Sequence, residues 1–421
     1  MIRSKLYFIF ILILTWPIRW LPYSTIHRLG AFLGICTYHL VPKFRKRSLS
    51  NLALASSLQL SEQEILRLAK ASLQNLMITC LEYSKFASEK EIHRVVSCVN
   101  PEVADQLMKE NKPVIFFCGH QSNWEVLFLE GTSRMPGVAI GRPIKNADLY
   151  RWVLSIRQKF GGKMITPQNA IREGLRGLKK GAFLGIVGDQ GMPNSGYCSP
   201  FFGRKAWTSP IAAILSHRTG SPIIVATTER KEGKYYIHYS DPIWPQSEAP
   251  LDQEVDRLMR AALAHFEETI KEQPGQWLWS HNRWKQQTPE KLKKRFRHES
   301  ILIILPFEEQ LLRSLISTLS TFREIYPHEF ITIYAPIDNI KDVHLDDAEI
   351  LPYSVESDLL KRDYRFKLVF NFSSSGKVRP HFKTLAAFQV VSLRQLQKIA
   401  GTNEQTPLEP TLKKAILRHA S

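Results

Sequence analysis

Short apolar runs alternate with amphipathic segments between residues 114 and 271, and this alternation constrains the fold more than any other feature. The apolar runs predict strands at residues 114–118, 139–142, 182–187, 222–227 and 235–239. The segments between and after them have the apolar spacing of helices, at residues 146–160, 170–178, 210–219 and 253–271. Strands that alternate with helices predict an α/β fold, here a mixed sheet with helices on both faces.

The chain is long enough, at 421 residues, for more than one domain. A polar, basic stretch at residues 286–298 precedes a second group of elements. These are strands at 301–305, 330–334 and 367–371 and a helix at 311–325. We therefore predict a membrane anchor at 1–30, a main α/β domain at 31–285, a basic linker at 286–300 and a small α/β unit at 301–421.

The N-terminal segment predicts an attachment to a membrane. Residues 6–16 are almost wholly apolar, and a second apolar, aromatic stretch at 29–41 ends at the basic cluster 43–47. Aromatic residues near lipid headgroups with Lys and Arg beyond them are typical of an anchor whose remaining chain is cytoplasmic. A soluble core helix is the alternative.

The net charge of +18 favours an anionic partner, and no zinc-finger, helix-turn-helix or RNA-stacking motif indicates nucleic acid. The five cysteines have no CxxC spacing, so we expect reduced thiols and neither a disulfide framework nor a metal site.

The segment 114–125 contains the candidate catalytic residues. Its predicted strand ends at Cys118 and Gly119, His120 follows, and Glu125 comes five positions later. His120 can take a proton from an alcohol, and Glu125 can orient the ring and stabilise its charged form. A histidine with a nearby glutamate is also common without catalysis. The position at the C-terminal end of a strand, where open α/β sheets place their sites, favours catalysis.

Two loops after predicted strands add polar candidates. Arg142 and Lys145, followed by Asn146, lie just after the strand at 139–142. In a site loop the two cations would bind phosphate or carboxylate, and a surface loop is the alternative. Asp189 and Gln190 stand between glycines after the strand at 182–187. They form either a simple turn or a part of the site at the same sheet edge as His120.

Two features leave their interpretation open. Trp277, Trp279 and Trp284 alternate with cationic residues, which suits a lipid-binding surface or a core with a solvated edge. Cys118 stands two residues before His120 and is either a nucleophile or a small core residue.

Taken together, these segments resemble the late acyltransferases of lipid A biosynthesis, the lauroyl/myristoyl transferase family. The resemblance extends to about Lys285 and covers the apolar start and the blocks RKRSLSNLALA, GHQSNWE, GRPIKN, GDQG, SPFFG and QWLWSHNRWK. The histidine motif alone is shared with glycerolipid acyltransferases, whereas all of these blocks in one order are specific.

The resemblance implies a metal-free, cofactor-free transfer of a fatty acyl chain from acyl carrier protein to a hydroxyl of an acylated, phosphorylated glucosamine disaccharide, the lipid A precursor. It implies that a single N-terminal transmembrane helix anchors the protein and that the reaction takes place at the cytoplasmic face of the bacterial inner membrane. The implied catalytic residues are His120 and Glu125, and the family's arginine and aspartate correspond to Arg142 and Asp189. With their loop neighbours Lys145, Asn146 and Gln190, these last two are the predicted substrate-binding residues. A glycerolipid or lysophospholipid acyltransferase and a non-catalytic membrane scaffold are the alternatives.

The segment from residue 301 resembles the N-terminal half of heptosyltransferase-type glycosyltransferases. The glycine-aspartate turn that such enzymes use is absent, because Phe307, Glu308 and Glu309 stand there. We therefore expect this unit to be inactive as a sugar transferase.

Overall fold

The structure of the protein is a computed structural model that describes residues 2–418. Met1, the first residue of the predicted anchor, lies outside the described residues. So does Ser421, the last residue of the predicted C-terminal unit. The strands in chain order are β1 (Val96–Cys98), β2 (Ile115–Cys118), β3 (Gly137–Ile140), β4 (Lys163–Ile165), β5 (Phe183–Val187), β6 (Tyr197–Phe201), β7 (Arg204–Thr208), β8 (Ile223–Lys231), β9 (Lys234–Tyr239), β10 (Ser300–Ile304), β11 (Phe330–Pro336), β12 (Ala348–Tyr353), β13 (Leu368–Asn371) and β14 (Gln389–Ser392).

Helices separate most of these strands, so the predicted mixed α/β fold is confirmed. In chain order they are α1 (Ile2–Thr15), α2 (Tyr23–Leu40), α3 (Pro42–Leu54), α4 (Glu62–Ser88), α5 (Glu102–Lys109), α6 (Glu125–Arg134), α7 (Ala147–Arg157), α8 (Ala170–Lys179), α9 (Ile211–Thr219), α10 (Leu251–Glu272), α11 (Glu309–Ser317), α12 (Leu319–Ile325), α13 (Val378–Thr384), α14 (Leu393–Ala400) and α15 (Leu408–Ile416).

The described chain divides into two compact units. The first contains the residues up to Val41 together with Leu66–His281, and the second contains Pro42–Ile65 and the residues from Asn282 onward. The division after His281 lies close to the predicted boundary at residue 285. The assignment of Pro42–Ile65 to the second unit differs from the predicted boundaries, which placed this segment in the main domain.

The first unit contains a seven-stranded sheet in the order β1-β9-β8-β2-β5-β3-β4. Only β8 and β9 are antiparallel among these neighbours, and β6 and β7 form a separate hairpin. Strand β2 pairs in parallel with both β5 and β8, and its four residues are buried, which explains its continuous apolar sequence. Because Cys118 pairs with Val187, β2 and β5 end at the same level. The residues that follow the two strands therefore meet at one edge of the sheet.

The second unit contains a parallel five-stranded sheet in the order β12-β11-β10-β13-β14. Leu292 and Phe296 are fully buried in its apolar core, although they belong to the segment predicted as a linker. Because Lys and Arg surround these two residues, the sequence of the segment is polar on average. The segment nevertheless packs against the core with the side chains of Leu292 and Phe296.

Helix α3 supplies polar side chains to this second unit. The Ser50 hydroxyl donates to the carbonyl of Arg365 at 2.7 Å. The buried ammonium of Lys367 donates to Asn51, to Asn282 and to Glu299. These contacts explain why the segment around α3 belongs with strands that lie more than 300 positions further along the chain.

The N-terminal part of the first unit exposes many large apolar side chains. They are Leu6, Tyr7, Ile9, Phe10, Ile13, Leu14, Trp16, Trp20, Leu29, Phe32, Ile35 and Leu40. Across residues 2–418, no helix combines the length and the apolar character needed to cross a bilayer. The predicted transmembrane helix is therefore unsupported.

Candidate active site

His120 and Asp189 lie side by side just beyond the paired ends of β2 and β5. The main-chain N–H of His120 donates to Asp189 Oδ2 at 2.8 Å, and His120 Nδ1 lies 2.7 Å from Oδ1. Trp277 Nε1 also donates to Oδ2, at 2.8 Å. Burial raises the pKa of Asp189, but the charge and hydrogen bonds of His120 outweigh burial and hold this pKa below its usual range. An ionised carboxylate only accepts, so Nδ1 carries the proton and Nε2 is left as the basic nitrogen.

Two glycines allow close packing around the strand ends that precede His120 and Asp189. A Cβ atom on Gly119 would overlap the ring of Phe266, and one on Gly188 would overlap the ring of Phe117. The Gly188 N–H also donates to the carbonyl of Cys118 at 2.8 Å, which continues the strand pairing for one more residue. A larger residue at position 188 would press on β2 through Phe117, and one at position 119 would press on α10 through Phe266.

The loop after His120 is held in a conformation that is uncommon for a residue other than glycine. Ser122 has φ +50°, in the left-handed region. Its N–H donates to the carbonyl of Gln276 at 2.6 Å, and its own carbonyl accepts hydrogen bonds from Asn75 and Thr79 of α4. These contacts from distant parts of the chain fix the direction of the loop.

The tryptophan-rich segment belongs to the core and supports the site, which decides between the two interpretations left open. Trp277, Trp279 and Trp284 are at most 1% exposed. The N–H of Leu278 donates to the carbonyl of His120 at 3.0 Å, so this segment braces both the backbone of His120 and the carboxylate of Asp189.

Glu125 does not hold His120, in contrast to the predicted role. Its carboxylate accepts two hydrogen bonds from Arg157, at 2.7 and 2.5 Å, and one from the hydroxyl of Tyr83 at 2.5 Å. Burial raises the pKa of Glu125, but the charge and hydrogen bonds of Arg157, with the bond from Tyr83, hold it below its usual range. Glu125 begins α6, so its side chain is directed away from the turn that carries His120 and toward α7. In this structure Asp189, and not Glu125, is the carboxylate that contacts His120.

The other side of the His120 ring lies against Gln190 and Trp124. The Gln190 amide nitrogen is 3.2 Å from His120 Nε2, and the rings of His120 and Trp124 are 4.5 Å apart. With Nδ1 protonated, the amide donates to Nε2. A substrate hydroxyl would take the place of this amide when it reaches the base.

A cavity of about 300 Å³ opens beside His120. Its polar lining includes His120, Gln190 and Arg142. Glu125, Arg157, Ser209 and Trp124 also line it. The apolar lining includes Phe128, Ala139, Ile140, Ile144, Met164, Pro167, Ile186, Val187, Met192 and Ile211. A largely apolar cavity with a few polar groups in its lining is typical of a site for an amphipathic small molecule.

The remaining predicted residues occupy different positions. Arg142 is exposed and lines the cavity, and Lys145 is exposed in the same loop. The side chain of Asn146 accepts hydrogen bonds from the N–H groups of Asp148 and Leu149, and so caps the start of α7. Asn146 therefore positions the loop in this structure.

Cys118 is a core residue. Burial raises the pKa of its thiol well above the ordinary value, which keeps the sulfur protonated and a poor nucleophile. Among residues 2–418, no group of three or more His, Cys, Asp and Glu side chains could hold a metal ion.

Sequence reasoning did not identify Arg157, Tyr83 or the support by Trp277. Arg157 stands in the last turn of α7 and Tyr83 near the end of α4, and neither belongs to a motif with a recognised spacing. Only a pattern of paired change between positions 125 and 157 could have indicated this contact.

The fold and the site define the class of protein, an α/β protein with a carboxylate-bound histidine beside a largely apolar cavity. A family model described as bacterial lipid A biosynthesis acyltransferase matches residues 2–286, and the chain belongs to this family. The family match ends before β10, and the resemblance of the segment from residue 301 to heptosyltransferases is not confirmed.

The chain is also similar to two solved structures. One is the 1-acyl-sn-glycerophosphate acyltransferase PlsC from Thermotoga maritima, at 14% identity over 58% of this chain and 97% of the other, with a TM-score of 0.29. The other is UDP-GlcNAc 2-epimerase from Neisseria meningitidis bound to UDP-GlcNAc, at 9% identity over 85% and 81%, with a TM-score of 0.17. The comparison with curated proteins gave no match.

Proposed function

We propose that this protein transfers a fatty acyl chain from acyl carrier protein to a hydroxyl of an acylated, phosphorylated glucosamine disaccharide, the lipid A precursor. The observation that carries the proposal is the pairing of His120 with an ionised Asp189 beside a largely apolar cavity. The family supports acyl transfer in lipid A biosynthesis. The donor and the acceptor are proposed from the family resemblance and from the charge of the site.

In the proposed reaction the thioester is converted directly into an ester, without a covalent enzyme intermediate. His120 Nε2 takes the proton of the acceptor hydroxyl while the oxygen attacks the thioester carbonyl. The tetrahedral intermediate then expels the carrier thiolate, which takes the proton from the imidazolium, so an ester and a free thiol result. Asp189 stabilises the imidazolium between the two steps, as a carboxylate does when it holds the other ring nitrogen of a catalytic histidine.

The lining of the cavity suits the acyl chain. Phe128, Met164 and Ile211 contribute to the apolar walls, and burial of methylene groups against such walls stabilises a bound chain. Arg142 and Lys145 are exposed beside the cavity and are free to contact the phosphates of the acceptor.

The exposed apolar side chains of the N-terminal segment support contact with a membrane, where the acceptor lipid is dissolved. Trp16 and Trp20 are exposed beside Arg19, and aromatic and cationic side chains together suit the headgroup region. We place the reaction at the cytoplasmic face of the bacterial inner membrane as part of the same proposal.

The test is an assay of purified full-length protein with acyl carrier protein bearing a radiolabelled acyl chain and with purified lipid A precursor. We expect a labelled product of higher acyl content from the wild type and a loss of at least about 10²-fold in kcat for His120→Ala. Lysophosphatidic acid serves as the second acceptor. Transfer to lysophosphatidic acid in preference to the precursor would contradict the acceptor assignment, and undiminished activity of His120→Ala would contradict the base assignment.

A further inference from the structure

We infer that the exposed basic face of α8 is the surface on which the acidic carrier protein docks while its acyl chain enters the cavity. This inference rests on the proposed function, since it concerns the donor of that reaction. The face is formed by Arg172, Arg176, Lys179 and Lys180, which we call the α8 basic face.

Positive charge is concentrated in the part of the chain that contains α8. Between residues 141 and 180 there are ten Lys and Arg residues and two acidic residues, a net charge of +8 out of the +18 of the whole chain. One of the ten, Arg157, is paired with the buried Glu125 and does not contribute to the surface. The acids are Asp148 and Glu173, whose side chains are only 18% and 16% exposed. A surface of this kind attracts an acidic protein and increases the rate of encounter.

The helix separates its charged and apolar residues. Ala170, Gly174 and Leu178 are buried, which fixes the inner side of α8 against the first unit. The four residues of the α8 basic face are exposed, and they stand at positions i, i+4, i+7 and i+8, on one side of a helix. Glu173 pairs with Lys163 and also lies near Arg172 and Arg176, but both arginine side chains stay more than two-thirds exposed.

The α8 basic face follows the cavity wall closely along the chain. Met164 and Pro167 line the cavity, and α8 begins at Ala170, three positions after Pro167. Arg142 and Ile144, from the same positively charged stretch, line the cavity as well. The start of α8, with Arg172, therefore adjoins this lining along the chain, and a carrier bound at that end would present its acyl thioester toward the cavity.

The composition of α8 favours a folded acidic protein over an anionic membrane. Its large apolar side chains are mainly covered, since Leu178 is buried, Leu175 is half-buried and Ile171 is 42% exposed. The N-terminal segment has the opposite character, with Phe10 and Ile13 more than 60% exposed. A helix that inserts into lipid presents an apolar face, whereas a single exposed isoleucine among cations suits a protein interface.

The decisive experiment reverses the charge of the α8 basic face in the full-length protein. The variant Arg172→Glu/Arg176→Glu/Lys179→Glu is compared with Lys231→Glu/Lys234→Glu, which reverses two exposed lysines at the β8–β9 hairpin. A neutral variant, Arg172→Gln/Arg176→Gln/Lys179→Gln, provides the same test if the charge-reversed variant does not fold. Each protein is assayed with acyl carrier protein as donor and with a short acyl thioester that lacks a protein.

We expect the α8 variants to raise KM for the acyl carrier protein by at least about tenfold, with kcat for the short thioester unchanged. The hairpin control should behave as the wild type with both donors. Higher salt should weaken use of the carrier protein by the wild type more than by the variants. Calorimetric titration with the carrier protein should show the same loss of affinity.

Several results would overturn the inference. These are an unchanged KM for the carrier protein, an equal loss with both donors in variants of unchanged thermal stability, and a loss confined to binding of anionic phospholipid vesicles. The last would make α8 a membrane contact. If the wild type transferred no acyl group from any thioester, the proposed function would fail, and calorimetric binding of the carrier protein would still decide whether α8 docks it.

Discussion

His120 Nδ1 lies 2.7 Å from Asp189 Oδ1, although 69 positions separate the two residues in the chain. The pairing of Cys118 with Val187 places both residues two positions beyond neighbouring parallel strands, at one level of the sheet. The main-chain N–H of His120 and the indole of Trp277 complete the set of donors to this carboxylate. The pairing of this histidine with this carboxylate is therefore fixed by the order and register of the sheet.

Asp189→Asn should lower kcat by about 10²- to 10⁴-fold, with a small change in KM for either substrate. The amide cannot stabilise an imidazolium as a carboxylate does, and it can donate to Nδ1, which leaves the proton on the wrong ring nitrogen. Steady-state kinetics of the purified variant measures this, with circular dichroism as the control for folding. Wild-type kcat would show that Asp189 has only a structural role.

Glu125→Ala should destabilise the protein by about 3–5 kcal/mol, because it leaves the buried side of Arg157 and the hydroxyl of Tyr83 without their acceptor. Denaturant unfolding measures the loss. The paired variant Glu125→Leu/Arg157→Leu should recover part of the stability, since it removes both charges. If Glu125→Ala lost activity while its stability was unchanged, the result would indicate a direct catalytic role for Glu125.

Gly119→Ala should destabilise the first unit by about 1–3 kcal/mol and lower activity, because its methyl group would overlap the buried ring of Phe266. Gly376→Ala is the matched control, since no atom lies within 4 Å of the Cβ position there. Thermal unfolding and kcat of both variants are compared. Equal effects of the two substitutions would refute the packing argument.

A chain that ends at Lys285 should fold poorly and transfer little acyl chain, contrary to what the boundaries predicted from the sequence suggest. It would keep α3 but lose the strands of the second unit, and with them Arg365 and Lys367, which bind Ser50 and Asn51. Limited proteolysis and the transfer assay, with the full-length protein as reference, measure the result. A protease-resistant, active truncated protein would establish that the first unit is self-sufficient.

His298 should make the second unit sensitive to acid. Burial lowers the pKa of His298 from its ordinary 6.5 to about 4. Between these two values the unfolded state binds the extra proton, so stability is lost as the pH falls from about 6.5 to about 4, by at most about 3 kcal/mol. Unfolding curves at a series of pH values should show this slope, and His298→Gln should remove it.

A second acid transition belongs to Glu299 and separates from the first. The charge and hydrogen bond of Lys367 outweigh burial and lower the pKa of Glu299 to about 2. Its stabilising contribution is therefore present above its ordinary pKa of 4.5 and is lost as the pH falls toward 2. An unchanged slope between pH 6.5 and 4.5 in His298→Gln would contradict the assignment to His298.

The residues of the site were partly predictable because they follow strands. Apolar runs and the glycines after them indicated that His120 and Asp189 follow strands and could share one edge of the sheet, and they made the loop of Arg142 a candidate part of the site. The partner of Glu125 was not predictable, because Arg157 lies 32 positions away on a separate helix. Local spacing carries no information on which helix packs beside which.

The sequence by itself determined the alternation of strands and helices, the α/β class and the family, since each depends on local periodicity and on motifs in a fixed order. Tertiary structure alone decided which carboxylate holds His120 and which unit contains α3. Both depend on the lateral order of strands and on packing between segments far apart in the chain. Asp189 rather than Glu125 meets the histidine because β2 and β5 are neighbours in register, while the first turn of α6 directs Glu125 to Arg157.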